Sequence, residues 1–157
     1  MEPITPCLWF DTAAEEAAEF YVSLLPDSKI TAVSRYPDGS GDRSGTVLTV
    51  AFELNGQPFT ALNGGPEFTF NEAISFQIHC DTTEQLDDLW TRLTEGGEEN
   101  QCGWLKDRYG LSWQVIPAGF EQLLSDPDPG RSQRAMQAMM SMRKLDIDAM
   151  RAAADSA

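Results

Sequence analysis

The sequence predicts an α+β fold made of two βαβββ modules followed by C-terminal helices. Three observations carry this. Segments 8–21 and 78–90 read as two copies of one unit, about seventy residues apart. Leu8-Trp9-Phe10 runs into Asp11-Thr12, with Glu15 three residues after Thr12, and Ile78-His79-Cys80 runs into Asp81-Thr82, with Gln85 three residues after Thr82. Each reads as an apolar strand entering a capping box, where Thr accepts from a helix N–H and Glu or Gln reaches back. After each helix the chain reads as further strands in the same order. Between the copies lies Asn63-Gly64-Gly65-Pro66, a turn-rich boundary. A repeat this long exceeds a solenoid period, so it points to a duplicated half-domain whose halves bury their apolar faces together.

The elements follow in order. Residues 4–10 read as a strand. A helix over 13–24 carries Ala14, Ala17, Ala18, Tyr21 and Leu25 at helical spacing, and Pro26-Asp27-Ser28 ends it. Residues 29–36 alternate as a strand, 37–42 form a polar loop, and 46–54 and 57–62 are strands joined by Asn55-Gly56, a strong hairpin signal. In the second copy, 73–80 is a strand. Residues 85–93 form a helix with Leu86, Leu89, Trp90 and Leu93 facing inward, and Gly96-Gly97 closes it. Residues 98–101 are a weak strand, and 103–106 and 111–116 flank a turn at Asp107-Arg108-Tyr109-Gly110. Asp126-Pro127-Asp128-Pro129-Gly130 reads as a rigid connector, with helices expected over 132–144 and 146–153. The division expected is one domain over 1–157, with modules 1–65 and 66–118 and an extension 119–157. Met136, Met139, Met140 and Met142 give the extension an adaptable apolar surface, for packing on its own domain or a twin subunit, or for recruiting another protein.

Bulk chemistry narrows the function. With 157 residues and 41% apolar content the chain can bury a real core. Eleven basic against 25 acidic residues give a net charge of −14, which disfavours phosphate backbones and anionic membranes as partners. No secretory signal or membrane-length apolar run is read. Cys7, Cys80 and Cys102 are odd in number and widely spaced, so no disulfide framework is expected and a reducing cytoplasm is the simplest setting.

Several motifs together carry a family resemblance. They are Trp9-Phe10, Glu16-Ala17-Ala18-x-Phe20-Tyr21, Asn63-Gly64-Gly65-Pro66, Phe70-Asn71-x-Ala73-x-Ser75-Phe76, Cys102-Gly103-Trp104-Leu105-x-Asp107, Tyr109-Gly110-Leu111-Ser112-Trp113-Gln114 and the tail ending Lys144-Leu145-Asp146-Ile147. The chain resembles the PhnB-like, demethylubiquinone methyltransferase-type branch of the vicinal oxygen chelate superfamily, the glyoxalase, bleomycin-resistance and dioxygenase fold. The resemblance implies eight strands in two cupped halves and a homodimer. It does not fix the function, because one fold hosts many chemistries.

Metal enzymes of that superfamily place ligands at four strand positions. Carried over, these fall on Thr5 or Pro6, within 59–63, on Ser75 and on Gln114. None is a strong ligand, so no metal cofactor is expected. Methyl transfer from S-adenosylmethionine usually needs a glycine-rich turn after a first parallel strand. Gly39-Ser40-Gly41 and Gly64-Gly65 stand in other contexts, so the methyltransferase label reads as an inherited name.

What remains is the cup. Alternation puts Ser75, Gln77 and His79 on one strand face, Cys7 and Trp9 on the matching face of the first strand, Thr60 and Leu62 on the fourth, and Ser112 and Gln114, or Trp113 in a slipped register, on the last. With Trp104 these are the candidate ligand-binding residues for a small molecule. The alternative is that they only fill the cup. His79, the sole histidine, is the one candidate for catalysis. Its plainer reading is a neutral ring satisfied by a strand neighbour. Cys7 or Cys102 with His79 would make a nucleophile–base couple, but small buried apolar thiols are the better expectation. Trp104 and Trp113 suit a hairpin core. Glu15-Glu16, Asp87-Asp88 and Glu98-Glu99 read as solvated faces. The function expected is small-molecule binding or sequestration without a metal, against the alternative of a metal- or His-assisted enzyme.

Overall fold

The computed structural model describes residues 1–156. The chain divides into two compact units, the first Met1–Phe70 and the second beginning at Asn71.

In the first unit β1 (Cys7–Phe10), α1 (Ala14–Leu24), β2 (Lys29–Arg35), β3 (Val47–Leu54) and β4 (Gln57–Asn63) follow one another. They form one sheet in the order β1-β4-β3-β2, with β1 parallel to β4 and the other pairs antiparallel. Asn55 and Gly56 both take positive φ, the geometry a two-residue hairpin of this hand requires. One sheet face carries Leu8, Phe10, Val50, Phe52, Leu54, Phe59 and Ala61, all buried, and α1 covers it with Ala14, Ala17, Ala18, Tyr21 and Leu24. The alanines let the helix backbone come close, and Tyr21 then reaches the Phe52–Phe59 stack. Burying one such aromatic contributes about 1.5–3 kcal/mol.

Two expectations for α1 need correction. Leu24, rather than Leu25, completes the buried stripe. The Thr12 box does not form: the N-cap is Ala13 without a side-chain bond, and Asn63 Oδ1, 49 residues away, accepts from Ala14 N at 2.8 Å. A tertiary partner has replaced the local one. Strand β1 is also shorter than 4–10, because it runs only where it pairs with β4.

The second unit repeats the order with β5 (Ser75–Cys80), α2 (Thr83–Thr94), β6 (Glu98–Glu99), β7 (Trp104–Lys106) and β8 (Ser112–Pro117), in a sheet ordered β5-β8-β7-β6. Here the capping box forms. Gln85 N donates to Thr82 Oγ1 at 3.2 Å, and Gln85 Oε1 accepts from Asp81 N at 2.9 Å. Leu86, Leu89, Trp90 and Leu93 are buried, as their spacing predicts. The turn between β7 and β8 is fixed by Asp107, only 2% exposed. Its carboxylate accepts from Tyr109 N at 2.8 Å, Leu111 N at 3.1 Å and the Trp113 indole at 2.9 Å.

Three helices follow: α3 (Phe120–Leu124), α4 (Pro129–Met140) and α5 (Ile147–Asp155). Leu123, Ala135, Leu145, Ile147, Met150 and Ala154 form their core, with Met139 and Met142 packed against it and Met136 and Met140 exposed. Two corrections arise. The supposed connector 126–130 is partly helix: Asp128 caps α4 by accepting from Gly130 N, and Pro129 sits in its first turn, where its missing N–H costs nothing. The short α3 has no counterpart in the sequence reading. The extension is bonded to the sheet portion of its own unit, since Cys102 N and Gly103 N donate to Met142 O and Arg143 O, each at 2.8 Å. Among the described residues no helix is long and apolar enough to cross a membrane.

Candidate functional site

Strand register decides which predicted residues meet. In the first sheet Cys7 lies opposite Thr60 and Trp9 opposite Leu62, so these four share the face that α1 leaves open. Trp9, Thr60 and Leu62 are half-buried and Cys7 is exposed. Trp9 is held from three sides. Its indole N–H donates to Gly65 O at 2.9 Å, and Phe68 meets it edge-on at 5.0 Å. A Cβ on Gly64 would stand 2.5 Å from Cη2 and 2.6 Å from Cε2 of Trp9, so the ring face lies on Gly64. The glycine pair therefore serves a close aromatic approach and does not open a helix.

In the second sheet Ser75 lies opposite Ser112 and Gln77 opposite Gln114, while Trp104 faces Gln114 from the other side. Gln114 Nε2 donates to Ser75 Oγ at 2.9 Å, and Gln77 Nε2 approaches Gln114 Oε1 at 3.4 Å. Ser112, with Lys106 opposite it, is 1% exposed and its hydroxyl has no hydrogen-bond partner. Trp113 points to the opposite, α2-covered face and meets Phe76 there edge-on. The slipped register is thereby excluded.

His79 does not have a strand neighbour as partner. Its Nε2 lies 3.0 Å from Glu121 Oε1 on α3, and both side chains are more than half exposed. Glu121 escaped the sequence reading because it sits on the unforeseen helix. The cysteines are all free, but they are not uniformly buried. Cys80 is buried, and desolvation with Asp81 nearby pushes its pKa up to about 11. Cys7 is exposed yet also raised, by partial burial of its thiol, and Cys102 is half-buried at φ +60°. A raised thiol pKa is the reverse of what a nucleophile needs. Of the acidic pairs, Asp87 meets Lys144, Asp88 meets Arg92, and Glu99 accepts from the Trp90 indole, so these are structural contacts.

The superfamily's metal positions do not suit a metal here. Ser75 and Gln114 are bonded to each other through a hydroxyl and an amide nitrogen, and Thr5 and Pro6 precede β1. Among the described residues no three His, Cys, Asp or Glu side chains gather as ligands. Neutral hydroxyl and amide groups are a poor donor set for a divalent transition ion. Two surface clefts of the second unit, one around Gly119, Arg131 and Asp155 and one around Thr83, Pro117 and Lys144, contain none of the predicted site residues.

Two βαβββ units of the same strand order define the class of fold, and comparison defines the family. The family model described as 3-demethylubiquinone-9 3-methyltransferase matches residues 2–116. The chain belongs to that PhnB-like family. A PhnB protein from Bacillus cereus is 36% identical, with 74% of this chain and 100% of that chain covered and a TM-score of 0.69. Protein PA1353 from Pseudomonas aeruginosa is 20% identical, with 74% and 98% covered and a TM-score of 0.62. The fosfomycin resistance protein FosX from Listeria monocytogenes is 10% identical, with 78% and 97% covered and a TM-score of 0.52, a likeness of fold alone. No curated protein matches the chain. The family match ends before α3, so the three C-terminal helices lie outside it.

Proposed function

We propose that this protein binds a small polar-aromatic molecule against its open sheet faces without a chelated metal, rather than transferring a methyl group. One observation carries the reading. Gln77, Gln114 and Ser75 form a row of neutral donors and acceptors across β5 and β8, with the Trp104 indole as the next residue on that face. Placed neutral polar groups beside an aromatic side chain supply the orienting contacts that small-molecule recognition uses. Cys7, Trp9, Thr60 and Leu62 offer a similar surface on the first sheet. The test is a ligand-detected NMR screen of small phenols, amides and heteroaromatics against wild type, Gln114→Leu and Trp104→Ala. Hits weakened at least tenfold by both substitutions support the reading. Stoichiometric transition metal held by residues of these faces, in protein purified without chelator, overturns it.

A second reading, an enzyme using His79, is favoured by the His79–Glu121 contact, since a carboxylate orients an imidazole for proton transfer. Turnover lost in both His79→Gln and Glu121→Gln would support it. The proposal also includes a homodimer in the cytoplasm. The seven-residue edge strand β2, exposed along nearly its whole length, is consistent with pairing between copies. Light scattering of the purified chain tests that point.

A further inference from the structure

Arg43 occupies an unusual place in this acidic chain. The first unit has only three basic residues, Lys29, Arg35 and Arg43. Among the described residues no ion pair joins any of them to a carboxylate, whereas the Arg and Lys ion pairs lie in the second unit. Arg35 Nη1 is occupied by Gly45 O at 3.1 Å. Arg43 rests instead on neutral groups: Nη1 donates to Tyr36 Oη at 3.2 Å, and the guanidinium lies 5.6 Å from the centre of the Tyr36 ring.

The support beneath it is rigid. Arg43 O accepts from Thr46 N at 2.9 Å and from Thr46 Oγ1 at 2.6 Å, and Tyr36 N donates to Thr46 O at 2.8 Å. Tyr36 Oη donates to Asn63 O at 2.5 Å. Asn63 is itself tied to α1 through Ala14 N and to β3 through Val47 O, so the loop is anchored to the sheet. A cation resting on an anchored tyrosine, with donors to spare, suits a planar anion.

The cation adjoins an aromatic wall. Arg43 Nη2 would stand 2.8 Å from a Cβ on Gly65, the residue whose carbonyl receives the Trp9 indole. Phe68, packed edge-on against Trp9, leaves 65% of its surface exposed. Glu67 also borders the spot: its Oε2 would stand 2.7 Å from the same Cβ position, without forming an ion pair with Arg43.

We infer that the Gly65 corner is a subsite for an aromatic carboxylate, its ring against Phe68 and Trp9 and its carboxylate on Arg43. The inference rests on the proposal that the first sheet's open face binds small molecules, and it names the class of ligand. Glu67 opposes the incoming charge and so sets a ceiling on affinity.

The test titrates benzoate and its neutral counterpart benzamide, following the Trp9 indole N–H signal in wild type, Arg43→Gln, Arg43→Lys and Glu67→Gln. Benzoate should bind wild type about tenfold more tightly than benzamide, the usual worth of one charge-assisted contact. Arg43→Gln should erase that preference and leave benzamide binding unchanged, Arg43→Lys should keep part of it, and Glu67→Gln should enlarge it. If benzamide binds as well as benzoate at Trp9, the ligand class is wrong and the binding face stands. If neither probe moves the Trp9 signal, the first sheet's binding role fails together with the inference, while the Gln114 screen still reads the second sheet independently.

Discussion

Asp107 offers the sharpest test of how the second unit is held. Its carboxylate is nearly inaccessible and accepts from two main-chain amides of its own turn and from the indole of Trp113. Asp107→Asn keeps the size and shape. One oxygen still serves Tyr109 N and Leu111 N, but the amide nitrogen now faces the Trp113 N–H, donor against donor. A buried donor left unsatisfied costs about 1–3 kcal/mol, and bonds to a charged acceptor exceed neutral ones. We therefore expect a loss of about 2–4 kcal/mol, a large share of the 5–15 kcal/mol typical of a domain. Turning the amide over does not help, because it restores the indole bond and strands both main-chain amides.

The decisive assay is a double-mutant cycle by urea denaturation. Trp113→Phe removes the indole N–H and leaves a smaller ring, so it carries its own packing cost. In that background Asp107→Asn should cost about 1–3 kcal/mol less than in wild type, because the conflicting donor is gone. Additive effects, or an Asp107→Asn variant within about 0.5 kcal/mol of wild type, would refute the assignment of Asp107 as the acceptor that fixes this turn.

Four further outcomes are expected. Cys80, raised to about 11, keeps its proton in the folded state after the unfolded thiol has lost its own, so its contribution is full below about pH 9 and fades as pH rises to 11; Cys80→Ala should remove roughly 2 kcal/mol of that alkaline sensitivity in denaturation curves compared at pH 8 and pH 10.5. Gly64→Ala should displace the Trp9 ring and cost about 1–3 kcal/mol, with a change in indole fluorescence; an unchanged spectrum counts against the close approach. Ser112→Ala should raise stability by about 1 kcal/mol, since it removes a buried hydroxyl without a partner, and a comparable loss would mean that the hydroxyl is bonded. Truncation after Gly119 removes Leu145 from above Gly103 and the acceptors of Cys102 N and Gly103 N, for a loss of about 3–6 kcal/mol; an unaltered melting temperature would show that the extension is not structural.

Much of the architecture was legible because it follows from short-range chemistry. Period-two alternation in Ser75, Gln77 and His79 against Phe76, Ile78 and Cys80 placed two faces correctly, and the Thr82–Gln85 box fixed one helix start. The errors arose where a distant group decided a local outcome. Nothing near Thr12 indicates that Asn63 would take the first N–H of α1. Helix α3 has five residues and begins after Gly119 at φ +85°, too short to show a helical period. Missing it concealed Glu121, the group beside His79. The 37–42 loop read only as turn-forming polar residues, because the Tyr36–Asn63 bond that makes a platform for Arg43 links segments 27 residues apart.

The same distinction explains why the sites were harder to read than the sheets. Both candidate faces are built across parallel strand pairs, β1 with β4 and β5 with β8. Each strand's pattern says which side chains share its face, but partners such as Gln77 and Gln114 lie 37 residues apart and meet only once register is set. Register follows from burying Ile78 and Cys80 against the same layer as Trp113 and Val115, since a slip of one residue would turn Gln114 into that core. The polar face is thus positioned by the apolar one behind it. Substitutions on the open side can therefore change that face's chemistry with little effect on the core behind it, and two sheets of one topology present a neutral amide row on one and an aromatic shelf beside a guanidinium on the other.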